Sequence, residues 1–318
     1  MLVRKKIIDE QQSKLRFKST RFCYDLIKYQ YMLKNINLVH PGDSVIGYIH
    51  SKFPDGQQGI TLSSPIKTHH EEDTYEIISR LNNFMDVEKI ICARAALTNI
   101  GAEVISLKVP YFLGARSDRK FSEGGYHYLK EVIAPIINNQ GFDKVFVRDA
   151  HSDVLEGCID NFEAIDNDMF IDWALKDIGY FENPLEYIPV SPDAGAYKKV
   201  DNIALRLKHL GHLLTARKHR DIDTGQITRT SIPGLDGITG KFILIDDIID
   251  GGRTFLEIAN IILQNNPEAE IYLIVTHGIF SAGYAQLVKR FKRIYTTNSY
   301  QQFNKEGDFI KSFNTYLR

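Results

Sequence analysis

The sequence predicts an α/β protein built on mainly parallel sheets, and three observations predict it. Short apolar runs alternate with longer amphipathic ones, the pattern of βα units rather than of a sandwich. Several of the short runs are apolar nearly throughout, as parallel strands buried on both faces should be. The chain has 318 residues, 43% hydrophobic and 25% charged. That is ordinary globular composition, with length for two domains at roughly 100–200 residues each.

In chain order, strands are expected at 45–50 (VIGYIH), 104–112 (VISLKVPYF), 144–150 (KVFVRDA), 241–249 (KFILIDDII), 270–278 (EIYLIVTHG) and 293–297 (RIYTT). Helices are expected at 75–85, with Ile77, Ile78, Leu81 and Phe84 on one face, and at 252–264, striped by Phe255, Ile258, Ile262 and Leu263. The residues before Pro41 also read as helix-forming. A polar, acidic stretch at 161–168 separates two strand series, so domains are expected at 1–165 and 166–318. The segment 215–239 is charged, contains glycine and keeps no sustained period. An irregular segment of that length between buried elements is usually functional. A mobile lid and a β-hairpin arm both fit it.

Lys plus Arg (39) nearly cancels Asp plus Glu (40), for a net charge of -1. No bulk field draws the protein to nucleic acid or to a membrane surface, so neither is an expected partner. Any bound anion must be held by local groups. Cys23, Cys92 and Cys158 lie far apart without CxxC spacing, and are expected to be buried, reduced thiols. No run approaches the roughly 18 apolar residues of a membrane span, and the charged N-terminus lacks the apolar core of a secretory signal. The expected location is the cytoplasm.

The most informative stretch is KFILIDDIIDGGRTFLEIANIIL at 241–263. An apolar strand runs straight into Asp246 and Asp247, then a short loop ending in Thr254, then a helix. Free N–H groups and the macrodipole converge at a helix N-terminus and favour an anion there. Gly251 and Gly252 let backbone approach a phosphate closely, and Thr254 can cap the helix or donate its hydroxyl to a phosphate oxygen. Adjacent carboxylates at a strand end suit ribose hydroxyls or a hydrated Mg²⁺ equally well.

These residues resemble a known signature. LIDDIIDGGRT is similar to the phosphoribosyl-pyrophosphate (PRPP) loop of phosphoribosyltransferases and ribose-phosphate pyrophosphokinases. Five further blocks resemble the pyrophosphokinases specifically: FPDGQ at 53–57; PYFLGARSDRK at 110–120, like PYxxYARQDRK; RDAHSDVLEGCID at 148–160; VSPDAGAYKKVDNIALRL at 190–207; and THGIFSAGYAQLV at 276–288. They stand in family order across about residues 45–300. Transferases do not carry the ATP-side elements.

The resemblance implies two homologous phosphoribosyltransferase-type (Rossmann-like) domains with mainly parallel sheets, a flexible catalytic arm, and a C-terminal helix packing back on the first domain. It implies transfer of the β,γ-pyrophosphoryl group of Mg-ATP to the anomeric 1-hydroxyl of a ribose 5-phosphate moiety, with release of AMP. Carried over position by position, Lys218, Arg220 and Arg116 are catalytic. Phe53, Asp55, Gln57, Arg116, Ser117, Asp118 and His151 bind ATP, Phe53 and Asp55 from a neighbouring subunit. Asp246, Asp247, Asp250, Gly251, Gly252, Arg253 and Thr254 hold the ribose phosphate. His151, Asp193, Asp246 and Asp247 hold Mg²⁺. A homo-oligomer, dimer or hexamer, is implied.

The chain also departs from the family. Arg253 stands where the phosphate loop usually has glycine, Gln57 replaces an acidic residue, and Ser117 replaces glutamine. The segment FSEGGYHY at 121–128 lacks the arginines that help form an allosteric phosphate site in many members. Arg253 offers a planar five-donor cation to oxygens beyond a terminal phosphate. The acceptor is therefore either ribose 5-phosphate or ADP-ribose, the latter used by a phage branch of similar enzymes within NAD⁺ rebuilding. A catalytically silent regulatory subunit and a PRPP-binding transferase are the other readings.

Overall fold

The computed structural model describes residues 33–63, 73–220, 227–303 and 309–316. The chain divides into two compact units: Met1–Ser79 with Asn83–Lys108 and Ile136–Val145, and Arg80–Asn82 with Val109–Pro135 and Phe146–Arg318. No helix of the described residues is long and apolar enough to cross a membrane.

In the first unit, strands β1 (Leu33–Asn37), β4 (Thr74–Ile78) and β5 (Val104–Lys108) pair in parallel, with β4 in the middle. Helix α1 (Phe84–Asn99) turns Val87, Ile90, Ala93 and Leu97 inward. A hairpin of β2 (Tyr48–Lys52) and β3 (Gln58–Leu62) projects residues 53–57 at its tip. The hairpin is tied to α1, because Glu88 Oε1 accepts the Gln58 N–H at 3.0 Å.

Three expectations are corrected here. The helix expected at 75–85 is strand β4, a turn, and the start of α1. The stretch Thr74–Ile78 is a five-residue, mostly buried run, and such a run cannot be told from a helix by spacing alone. Asn83 then caps α1, its side chain accepting the Asp86 N–H at 3.1 Å, and Phe84 is exposed. Of the residues before Pro41, Leu33–Asn37 is strand rather than helix. Cys92 and Cys158 are partly buried rather than buried. Residues 1–32, including Cys23, lie outside the described residues.

The second unit holds a six-stranded sheet in the order β15 (Ile310–Phe313), β14 (Arg293–Thr297), β13 (Glu270–Gly278), β12 (Lys241–Ile249), β8 (Tyr187–Ser191) and β9 (Leu214–Thr215). Every pairing in it is parallel. Both faces are buried, as the near-continuous apolar runs require. Phe242 and Leu244 of β12 pack with Phe255, Ile258 and Ile262 of the helix after it, Arg253–Asn265. Ile243 and Ile245 face the other way, onto Phe170, Ile171 and Leu175 of the helix Asp168–Asp177 and Val200 of the helix Tyr197–Arg206. In chain order these helices are α2 (Asp168–Asp177), α3 (Tyr197–Arg206) and α4 (Arg253–Asn265).

The strands expected at 241–249, 270–278 and 293–297 form with those limits. The others are shorter: β2 begins at Tyr48, β5 stops at Lys108, and β6 covers only Val145–Arg148 before Asp149 turns to φ +48°. Where a C-terminal helix was expected, Ile310–Phe313 is an edge strand. The irregular segment contains an antiparallel hairpin, β10 (Arg217–Arg220) and β11 (Ile227–Ser231), so of the two forms considered the arm is the one found.

Candidate active site

The carboxyl ends of β8, β12 and β13 share one edge of the second unit's sheet, the side on which ligands sit in open α/β folds. Strand β12 delivers Asp246 and Asp247 there. Asp247 is buried and its Oδ2 accepts from Nδ1 of His151 at 2.6 Å. Asp246 Oδ1 accepts the backbone N–H of Asp247 at 2.9 Å.

The two neighbours are pushed apart in acidity. Burial, and then the charge of Asp247, hold the Asp246 carboxyl well above the usual range. Burial would raise Asp247 too, but the His151 bond and the Lys199 ammonium outweigh it and keep Asp247 ionised. The pair thus presents one readily ionised carboxylate beside a second carboxyl that is harder to ionise. The Asp247 bond in turn raises His151, against the opposing effect of burial. It also commits Nδ1, so Nε2 is the ring nitrogen left to meet a ligand.

Beneath lies a polar cluster. Lys199 Nζ, from the first turn of α3, meets Asp149 Oδ1 at 2.6 Å. Asp149 Oδ2 accepts from Asn167 Nδ2 at 2.5 Å and from the Thr276 hydroxyl. Burial would lower the Lys199 ammonium, but Asp149, Asp247 and Asp246 together raise it, so it stays charged beside three acidic side chains. His277 is buried, and burial holds it below the usual histidine range. A neutral ring fits its contacts: Nε2 donates to the Arg148 carbonyl at 3.1 Å, and Nδ1 pairs with the Ser299 hydroxyl at 2.8 Å.

On the arm, Lys218 Nζ donates to Asp193 Oδ2 at 2.8 Å. Asp193 lies two residues beyond the end of β8. Burial raises its carboxyl, but Lys218 and the Ala196 and Gly195 amides more than offset this and lower it. Arg220 ends β10, and its side chain lies outside what is described.

The loop of residues 250–254 has the shape its glycines suggested at one position. Gly252 sits at φ +79° as the N-cap of α4, a conformation that favours glycine. No side chain caps the helix, so Thr254, in its first turn, is not the cap considered for it. The first amides of α4 are thereby left for an anion. Asp250 accepts from Ser281 Oγ at 2.5 Å and from Arg116 Nη1 at 2.9 Å, and these two bonds lower its carboxyl. Arg253 is 83% exposed and ion-paired with Glu257 at 2.9 Å. Glu257 also accepts from Thr230 Oγ1 of the arm at 3.0 Å.

One fold unit therefore brings His151 to Asp247, Arg116 to Asp250, and Lys218 to Asp193. Phe53, Asp55 and Gln57 occur in the other unit. There they form the turn between β2 and β3, where the Gln57 N–H meets Asp55 Oδ1 at 3.1 Å and Phe53 is half exposed. Ser117 and Asp118 follow Arg116 in the loop after β5. Sequence reasoning missed Asp149, Asn167, Lys199, Thr276 and Ser281. Asp149, Lys199, Thr276 and Ser281 stand inside quoted blocks, the first two only two and six residues from His151 and Asp193.

Among the described residues no group of three or more His, Cys, Asp and Glu side chains is arranged as a metal cage. The donor set instead fits a Mg²⁺ that arrives on phosphates and keeps most of its ligands from there and from water. A histidine whose second nitrogen is fixed by a carboxylate is the usual arrangement behind a metal-binding imidazole.

No protein-family profile matches the chain. Over 262 residues it is 26% identical to a putative ribose-phosphate pyrophosphokinase 2 of Lactococcus lactis, covering 80% of this chain and 77% of the relative. Over 265 residues it is 26% identical to a ribose-phosphate pyrophosphokinase of Aquifex aeolicus, covering 80% and 79%. The crystal structure of phosphoribosylpyrophosphate synthetase from Mycobacterium smegmatis superposes with a TM-score of 0.72 at 18% identity, over 86% of this chain and 88% of that one. That last likeness establishes the fold: α/β with mainly parallel sheets.

Proposed function

We propose, from the similarity to ribose-phosphate pyrophosphokinases over about 80% of the chain, that the protein transfers the β,γ-pyrophosphoryl group of ATP to the anomeric hydroxyl of a ribose 5-phosphate moiety and releases AMP. The observation that carries this reading is the edge where Asp246, Asp247, Asp250 and the open amides of α4 stand with Arg116, His151 and the Lys218–Asp193 pair. The 5-phosphate would rest on the amides of Gly251–Thr254, and Asp246, Asp247 and Asp250 would hold the ribose hydroxyls. Arg116, Ser117, Asp118 and His151 would face ATP. Phe53, Asp55 and Gln57 would meet its adenine from a neighbouring subunit of a homo-oligomer.

His151, Asp193, Asp246 and Asp247 are the residues that would hold Mg²⁺, whose contribution when bound is to neutralise phosphate charge. Lys218 and Arg220 would meet the charge that grows on the transferred group, a role for positioned cations in phosphoryl transfer. Domain limits of 1–165 and 166–318 and a cytoplasmic location complete the reading. The test is ³¹P NMR of a reaction with Mg-ATP and ribose 5-phosphate. AMP and a 1-pyrophosphorylated sugar are expected, whereas ADP with a monophosphorylated sugar would refute the transfer.

Arg253 bears on the acceptor. It enters the first turn of α4 with its side chain largely in water, next to the amides assigned to the 5-phosphate. A second phosphate attached there, as in ADP-ribose, would give it a partner stronger than the exposed Glu257 pair. We expect a wild-type preference for ADP-ribose over ribose 5-phosphate in kcat/KM, reduced about tenfold in Arg253→Gly, the size of one charge-assisted hydrogen bond. A wild-type preference for ribose 5-phosphate that the substitution leaves alone would return the acceptor to ribose 5-phosphate.

A further inference from the structure

The hairpin of β10 and β11 turns one face inward. Lys218 and Thr230 stand directly opposite one another across its ladder, and opposed residues share a face. Both are partly buried, while Arg217 and Arg229 beside them are exposed. Two side-chain bonds leave that inward face: Lys218 Nζ to Asp193 Oδ2 at 2.8 Å, and Thr230 Oγ1 to Glu257 Oε2 at 3.0 Å. We propose that Glu257 is a positioning residue, which holds Thr230 and thereby keeps Lys218, opposite it, at the place of transfer.

Glu257 is well placed for a fixed hold. It projects from the second turn of α4, a helix packed down by Phe255, Ile258 and Ile262, all buried. Its two oxygens are divided: Oε2 accepts from the arm's hydroxyl, and Oε1 accepts from Arg253 Nε at 2.9 Å. The Arg253 pair sets the rotation of the carboxylate. That pair lies largely in water and is worth little, so an acceptor can draw Arg253 away without undoing the Thr230 bond. A hydroxyl bonded to a carboxylate belongs to the stronger, charge-assisted class. Thr230 suits the role because its branched side chain has little freedom at χ1.

The arm needs such a hold. Both its strands are rooted: the Ala216 N–H donates to the Ser191 carbonyl at 2.9 Å, and Ile232 is buried in the core. Lys218 and Thr230 each lie two residues beyond these roots. From there the hairpin is a two-stranded ribbon, marginally stable by itself, and its register shifts between His219 and Arg220. On the reading proposed above, the bond to Asp193 is given up when Lys218 turns to the phosphates of ATP. The bond to Glu257 involves no substrate and persists through that exchange. It holds the ribbon while the ammonium changes partners, at a step where a misplacement of about 1 Å can cost on the order of 10²-fold in rate.

The inference rests on the proposed reading for the task of Lys218, so one arm of its test needs no turnover. Hydrogen-exchange mass spectrometry of the full chain follows the amides of residues 214–220 and 227–232. Thr230→Val keeps the side chain's shape and removes its hydroxyl, and Glu257→Ala removes the acceptor. Each is expected to speed exchange in those two stretches about tenfold, the size of one charge-assisted hydrogen bond, and to leave β12 and β13 unchanged. In steady state each should lower kcat about tenfold and leave KM for ATP within about twofold. The double variant should be no worse than Glu257→Ala alone, because both remove one bond. Glu257→Gln retains an oxygen for the Thr230 hydroxyl and should recover most of both losses. Thr230→Val leaves the Arg253 pair in place, so an effect of Arg253 cannot imitate the result. Faster exchange with unchanged kcat would make the bond a tether without a catalytic task, and lower kcat with unchanged exchange would place the action of Glu257 elsewhere. Either overturns the inference, as does a Thr230→Val variant that matches the wild type in both. Failure of the reaction itself shows separately, as absence of AMP with the wild type, and the exchange rates still decide whether Glu257 holds the arm.

Discussion

Lys218→Ala should lower kcat by about 10²–10³, or roughly 3–4 kcal/mol, with little change in KM for ATP. That is the measured scale for removing one preorganised donor from a group that gains charge in the transition state. The structure supplies both the cation and its resting place. Lys218 is largely buried and bonded to Asp193, on a hairpin that also touches α4 through Thr230 and Glu257. A lysine held by one carboxylate near a phosphate site can pass to an incoming triphosphate at small cost in order, since its rotamer is already restricted. Arg220→Ala should behave in the same way. A second effect must be separated from the first, because Lys218→Ala also frees Asp193. Asp193→Asn alone and the double variant supply the cycle. If the whole loss of Lys218→Ala is recovered by adding Asp193→Asn, Lys218 acts only by restraining Asp193. If kcat is unchanged in Lys218→Ala and in Arg220→Ala, the arm is a solvated charge run and takes no part in transfer.

The legible parts of this fold and the obscure ones divide on physical lines. Strands β12, β13 and β14 are readable to the residue because a strand buried on both faces is apolar over most of its length, and the polar residues inside them, Asp246 and Asp247 among them, do not interrupt the run. The stretch 75–85 was misread because Ile77, Ile78, Leu81 and Phe84 satisfy helical spacing by chance. Nothing local says that the first two lie on a central strand and the last begins a helix. In the site, Asp246, Asp247, Asp250 and the glycines announce themselves by lying together in the chain. Lys199 does not, since a lysine in the first turn of an amphipathic helix ordinarily faces water. It faces inward because β8 pairs with β12, which brings α3 over the aspartates, and because Asp149 leaves β6 in a left-handed conformation that turns its carboxylate back. Both are consequences of long-range pairing.

Lys199 is also where the second large effect should appear, this time in stability. Its partner carboxylate is 9% exposed and already saturated by Asn167 and Thr276, while Asp247 and Asp246 lie close enough to feel its charge. Lys199→Met keeps most of the side-chain volume and removes the only cation facing these carboxylates from α3. An uncompensated charge is then left where solvent can barely reach it, and truncating one partner of such a pair costs about 3–5 kcal/mol. The partial exposure of Lys199 favours the lower figure, about 3 kcal/mol, or a fall in Tm of roughly 6–12 °C for a unit of this size. Thermal and urea unfolding measure it. Two companions make the cause visible. Lys199→Arg preserves the charge and should recover most of the stability. Adding Asp149→Asn to Lys199→Met removes the stranded carboxylate, and should restore more than half of what Lys199→Met lost, although Asp149→Asn alone destabilises. Were Lys199→Met as stable as the wild type, the Asp149 carboxylate would have to be reached by water or neutralised without it. The cluster beneath the catalytic edge would then be a solvated one, with no part in holding Asp247 ionised.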